Sequence, residues 1–148
     1  MGVKCIVVGT DGSEHTGRAS RWAADLAAQT GAEVVAVHAV GLLVNTPAGP
    51  VPNTPALHEK LRVQLEGEWT DELRAAGVPV RCRLEEGGSV TALLRVADDE
   101  GADLVVVGSR GAGGFSELHL GSTSHQVALY ADRPVTIVPP PGRPRPLG

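Results

Sequence analysis

No run of basic residues occurs anywhere in this chain of 148 residues, and 13 Lys and Arg against 17 Asp and Glu leave a net charge of −4. That balance leaves no electrostatic footprint for nucleic acid. The only basic cluster, Arg143 and Arg145, lies in a proline-rich end. Long apolar runs are missing as well: the stretch 34–44 is broken by His38 and Gly41, well short of the roughly 20 residues a membrane helix needs. Cysteine is scarce, with Cys5 and Cys82 each in a predicted strand and without metal-ligand spacing. Two isolated thiols suit a reducing compartment and read as core residues. The start, Met1-Gly-Val-Lys, has no apolar leader or cleavage site, and position 6 is Ile rather than the Ser or Thr of a myristoylation signal. A cytoplasmic location is the expectation. There is no Gly-x-Ser-x-Gly elbow for a nucleophile. No acid or cysteine is spaced to make His119 or His125 a metal ligand, and His38 reads as a core or crevice-edge histidine rather than a catalytic base.

What is present is a globular pattern. Hydrophobic residues make up 42% of the 148, enough for one domain with a sizeable core. Apolar runs at 4–9, 33–40, about 79–84, 104–107 and 134–138 read as strands. The third alternates Val80, Cys82 and Leu84 with Arg81 and Arg83, which suits an edge strand with one wet side. Four helices separate them. The first is capped by Ser13, spaces Ala19, Trp22, Ala23, Leu26 and Ala27 along one face, and stops at Gly31. The second opens at Thr54-Pro55, repeats Leu57, Leu61, Leu65, Trp69 and Leu73, and ends at Gly77. The third follows Gly87-Gly88-Ser89, turns Val90, Leu93, Leu94 and Ala97 inward, and closes at Gly101. The fourth has Ser122 at its N-cap and Val127, Ala128 and Ala131 on its apolar side. Residues 41–53 read as a loop and 140–148 as an unstructured tail. Strands alternating with helices predict an α/β fold, a parallel sheet with helices on both faces.

The chemistry concentrates between Asp103 and Ser124. The strand at 104–107 opens at Gly108 into a loop with glycines at 111, 113, 114 and 121, and the loop leads to a capped helix start. Bare backbone, unpaired N–H groups and the positive end of a helix dipole together make a place for an anion. No lysine follows any of these glycines, which excludes a Gly-x-x-x-x-Gly-Lys phosphate loop. The short Gly-x-Gly-x-x-Gly turn after the first strand is absent too. The alternative reading is a glycine-rich surface loop with no ligand.

The spacing Gly108-x-x-Gly111, nine residues, then Gly121-Ser122, in this layout, resembles the ATP-binding motif of the universal stress protein family. The likeness covers nearly the whole chain and implies a domain over 1–139 with a Pro-rich tail at 140–148. It also implies a HUP-like, Rossmann-like sheet of five strands in the order 3-2-1-4-5. The first and fourth strands then flank the reversal where ligands of such sheets bind. By resemblance, the backbone at Gly108 and Gly111 passes close to phosphates, and Gly121, Ser122, Thr123 and Ser124 contact the triphosphate of ATP. Asp11 lies by the ribose and phosphates and helps place a divalent cation, Mg²⁺ or Mn²⁺; its alternative role is a turn aspartate in Thr-Asp-Gly-Ser. Ala39 falls at the adenine contact, with less apolar surface than usual. Gly9, Thr10 and Val107 line the same pocket, and Arg110 is placed either to reach a phosphate or to sit solvated.

The resemblance points to a nucleotide-dependent regulatory module read by a partner protein through 41–53 and 109–121. A slow ATPase and a nucleotide-free dimeric scaffold are the rival readings. A homodimer is expected through the last strand, Val135, Thr136, Ile137 and Val138, with Ile137→Lys as the disrupting change.

Overall fold

The computed structural model describes residues 2–109 and 122–142. Predicted site residues Arg110, Gly111 and Gly121, and with them His119, lie outside the described residues. The elements run β1 (Cys5–Gly9), α1 (Glu14–Thr30), β2 (Glu33–Val40), β3 (Leu43–Thr46), β4 (Gly49–Pro52), α2 (Pro55–Glu66), α3 (Asp71–Ala75), β5 (Val80–Glu86), α4 (Ser89–Asp99), β6 (Leu104–Gly108), α5 (Ser122–Tyr130) and β7 (Val135–Val138).

Five strands pair in parallel in the order β5-β2-β1-β6-β7. Counting these five alone, that is 3-2-1-4-5. The central strands are apolar on both sides because helices cover both. On one face Ile6, Val8, Val34, Ala36 and Val106 meet Ala19, Ala23 and Ala27 of α1, with Leu65 and Leu73 from α2 and α3. On the other, Val7, Val35, Val37, Val105 and Val107 meet Leu93 and Val96 of α4 and Val127 of α5. Alanines on the sheet-facing side of α1 let that helix lie close. Trp22, expected on that side, is 39% exposed, and Ala24 and Ser20 are buried instead.

Three expectations are corrected. Residues 41–53 hold an antiparallel hairpin, β3 with β4, rather than a plain loop. Its prolines fit because Asn53 N–H donates to Leu42 O, which puts Pro50 and Pro52 at the positions of the ladder that do not exchange hydrogen bonds. The second helix is two. A repeat of four residues drifts by about 40° per step on a helix of 3.6 residues per turn, so Leu57 and Leu73 would lie about 160° apart on one continuous helix. The chain breaks at Gly67 instead, and Thr70 Oγ1 closes the break on Leu65 O at 2.7 Å. Ser122 is the first helical residue of α5 rather than its cap, and Ala128 points outward while Val127 is buried.

β5 is an edge strand, as its alternation predicts. Its outer character is ionic: Arg81 bridges Glu33 and Glu100, Arg83 reaches Glu85, Asp99 and Glu100, and Arg95 joins Glu85. The Arg81 guanidinium holds the Glu100 carboxyl below its usual range. Cys5 is buried in the core, whereas Cys82 on β5 is only half-buried. Among the described residues, no helix is long and apolar enough to cross a membrane.

Candidate functional site

The reversal of the sheet falls between β1 and β6, and the carboxyl ends of both strands open there into a cleft. On the β1 side the chain turns through Thr10, Asp11 and Gly12 into α1. Thr10 N–H completes the ladder on Val37 O at 2.9 Å, which extends the strand to the rim of the cleft. Asp11 Oδ1 accepts from Ser13 N–H and from Thr16 Oγ1, both at 2.9 Å. Ser13 caps α1 by accepting from Thr16 N–H at 3.3 Å. The carboxylate therefore sits at a helix start where its charge meets the dipole, and the turn role foreseen for it is realised in these bonds. Gly12 takes a φ of +78° here. Gly9 is packed so closely that a Cβ would lie 3.3 Å from both terminal carbons of Leu93.

On the β6 side Ser109 N–H donates to Val138 O, and the buried Ser124 hydroxyl donates to Ser109 O at 3.1 Å. That bond seats the first turn of α5 against the strand end. The first turn of α5 thus comes to the cleft with Ser122 and Thr123, at the positive end of the helix dipole.

The cleft measures about 610 Å³, within the range that holds a small molecule. Gly9, Thr10, Asp11, Ala39, Val107, Gly108, Ser122, Thr123 and Ser124 all line it, so the structure gathers every predicted site residue that it describes. No lysine or arginine lines it among the described residues. The sequence reading missed its far wall, made by Leu43, Val44 and Asn45 of the hairpin, Leu61 and Gln64 of α2, and Trp69. The four-residue stripe carried Leu61 and Trp69, but as helix-face residues; nothing in it marked a cleft.

His38 also lines the cleft. Its Nδ1 lies 2.8 Å from Thr10 O, and a carbonyl only accepts, so Nδ1 carries the proton. Burial pushes its pKa down, against opposing effects of the Thr10 carbonyl and Asp11. An unfolded chain then takes up the second imidazole proton at higher pH than the folded one, so the neutral ring stabilises the fold above about pH 6.5 and less as pH falls. Urea unfolding at pH 7.5 and pH 5.0 is expected to show lower stability at pH 5.0. In His38→Gln that pH dependence becomes shallower.

Among the described residues no group of three or more His, Cys, Asp or Glu could hold a metal ion. Asp11 is the one carboxylate lining the cleft among the described residues.

Comparison with known proteins agrees with this architecture. The model of the universal stress protein family matches residues 2–139. A universal stress protein of Thermus aquaticus, from the 3′ region of the QAH/OAS sulfhydrylase gene, is 36% identical over 144 residues, covering 91% of this chain and 98% of that one. A universal stress protein solved in complex with cAMP superposes with a TM-score of 0.70 at 31% identity, over 93% of this chain and 98% of that one. The Archaeoglobus fulgidus universal stress protein in complex with dAMP shares the fold, with a TM-score of 0.69 at 22% identity and coverage of 93% and 98%.

Proposed function

This chain belongs to the universal stress protein family, and from that premise we propose that it is a regulatory module that binds a nucleotide, ATP by preference, in the β1–β6 cleft. The observation that carries this reading is convergence. The β1 turn and the α5 start are remote in sequence, and both line one cleft at the reversal of the sheet. A relative at 31% identity is described with a cyclic nucleotide bound. In this reading Ser122, Thr123 and Ser124 hold the phosphates with Gly108, Gly111 and Gly121, and Arg110 reaches them from the loop. Gly9, Thr10, Val107 and Ala39 line the nucleoside. Among the described residues Asp11 is the one carboxylate lining the cleft, and it would hold a divalent cation such as Mg²⁺ or Mn²⁺ with the help of oxygens from the ligand. The cation would offset the repulsion between that carboxylate and the triphosphate.

Binding rather than turnover is the reading we favour, because the glycine-rich stretch 108–121 holds no lysine and a single arginine, Arg110, to set against a transferring phosphoryl group. Phosphate release sustained above about 1 s⁻¹ would overturn that preference. We infer further a cytoplasmic homodimer paired through β7. A regulatory protein partner reads the bound state from the hairpin and residues 109–121. The domain spans 1–139, with 140–148 as a Pro-rich tail.

Thermal unfolding with ATP–Mg²⁺ tests the reading. At about 100 times its dissociation constant a ligand stabilises by roughly 2.7 kcal/mol, a rise in Tm of roughly 5 to 11 °C for a chain of this size. Ser122→Glu is expected to abolish the rise. An acid in the first turn favours the helix itself and repels phosphate, so the ligand-free Tm should not fall. Absence of any rise in the unaltered protein would favour the nucleotide-free scaffold.

A further inference from the structure

In the nucleotide reading the phosphates lie at the α5 start, and Trp69 is fixed in the far wall of the cleft from two sides. Its indole crosses Gly12 so closely that a Cβ built there would lie 2.4 Å from Cε2 and Nε1. It meets His38 edge-on, with ring centroids 5.0 Å apart and planes at 80°. His38 is in turn tied to Thr10 O, so the ring, carried on the turn between α2 and α3, is referenced to the β1 turn. Trp69 also stands between two spaces: the main cleft, and a cavity of about 280 Å³ lined by Ser13, Gly17 and Ser20.

Direction comes from the sheet. Ser122, Thr123 and Ser124 line the cleft after β6, whereas Ala39 of β2 and Leu43 and Val44 of the hairpin that follows it line the cleft together with Trp69 and Leu61. The β6 end offers N–H groups, whereas the β2 end offers Ala39, Leu43, Val44 and Leu61. Phosphate belongs at the first and an apolar ring at the second.

We propose that Trp69 is the base-side wall of the site, a specificity-determining residue that takes the planar ring of a purine nucleotide by direct ring contact. The inference rests on the nucleotide reading above and adds to it the residue that recognises the base. A rigid indole supplies the apolar surface that the small side chain of Ala39 does not. Ring contact reads planarity rather than the pattern of groups at the base edge, so ATP and GTP should bind within about tenfold of one another, and inorganic triphosphate should not engage the wall at all.

The experiment uses the full chain and two probes, ATP–Mg²⁺ and inorganic triphosphate–Mg²⁺. Trp69→Ala is expected to weaken ATP by about 5- to 150-fold, the range for loss of an aromatic stacking partner, and to leave inorganic triphosphate affinity unchanged. Trp69→Phe should recover most of the loss. Trp22→Phe leaves Trp69 as the sole tryptophan, and its fluorescence should change on saturation with ATP but not with inorganic triphosphate. That measurement decides the matter if Trp69→Ala does not fold. Unchanged ATP affinity in a folded Trp69→Ala, an equal loss for both probes, or a silent Trp69 at saturating ATP overturns this inference alone. Failure of the unaltered chain to bind either probe overturns the nucleotide reading, and this inference with it.

Discussion

Gly12→Ala is expected to destabilise the protein by about 2–5 kcal/mol and to abolish the rise in Tm with ATP–Mg²⁺. Two costs combine. At a φ of +78° any L side chain carries the left-handed penalty, about 1–2 kcal/mol. The added Cβ would also fall 2.4 Å from the Trp69 ring, and overpacking of this kind costs about 1–3 kcal/mol. The ring cannot retreat without losing His38, and the turn cannot retreat without moving Asp11. Urea unfolding should therefore shift strongly, with a fall in Tm of roughly 4 to 20 °C. Trp69→Ala in the same chain separates the two costs. It removes the overlap and leaves the backbone penalty, so the double variant should be more stable than additivity allows, by about 1–3 kcal/mol. Strict additivity would mean that the indole does not rest on Gly12.

Ile137→Pro is expected to convert a β7-paired dimer into monomers at micromolar concentration. Val105 and Ser109 donate N–H groups to Pro134 O and Val138 O, so in a regular parallel ladder the backbone of Val135 and Ile137 faces the open edge. Proline at 137 removes an outward donor without touching the bonds to β6. Two symmetry-related acceptors then lose their partner, at about 1–3 kcal/mol each, which weakens association at least thirtyfold. Ile137→Lys is a poorer probe, because the Ile137 side chain packs against the Leu93, Val96 and Val127 cluster and a lysine there disturbs the monomer as well. Sedimentation of the unaltered chain as a monomer would overturn the dimer itself.

The elements that the sequence announced are those whose own periodicity carries the information. β1, β2 and β6 are apolar on both faces because two layers of helix cover them, and such runs read as strands without further context. The alternating arginines of β5 marked an edge. The two halves of the cleft that lie at strand ends, Asp11 and Gly108, were legible for the same reason. The hairpin was not, since Pro50 and Pro52 speak against a strand until the register assigns them to positions without ladder bonds. The break at Gly67 was hidden because Leu57 to Leu73 repeat at four, a period close enough to a helix to pass for one. The far wall of the cleft is assembled from those two misread segments, so it could not be found before they were.

The two outer strands of the sheet differ in kind, and the difference limits how large an assembly can grow. A sheet receptive at both margins would add copies without end and form a fibre. Here the β7 margin is apolar, whereas Arg81, Arg83 and Arg95, interlaced with Glu33, Glu85, Asp99 and Glu100, fill the β5 margin with charge that an incoming strand would have to strip of water. Were two copies to join through β7 as proposed, a charged margin would stand at each end of the shared sheet, and addition would stop at two copies.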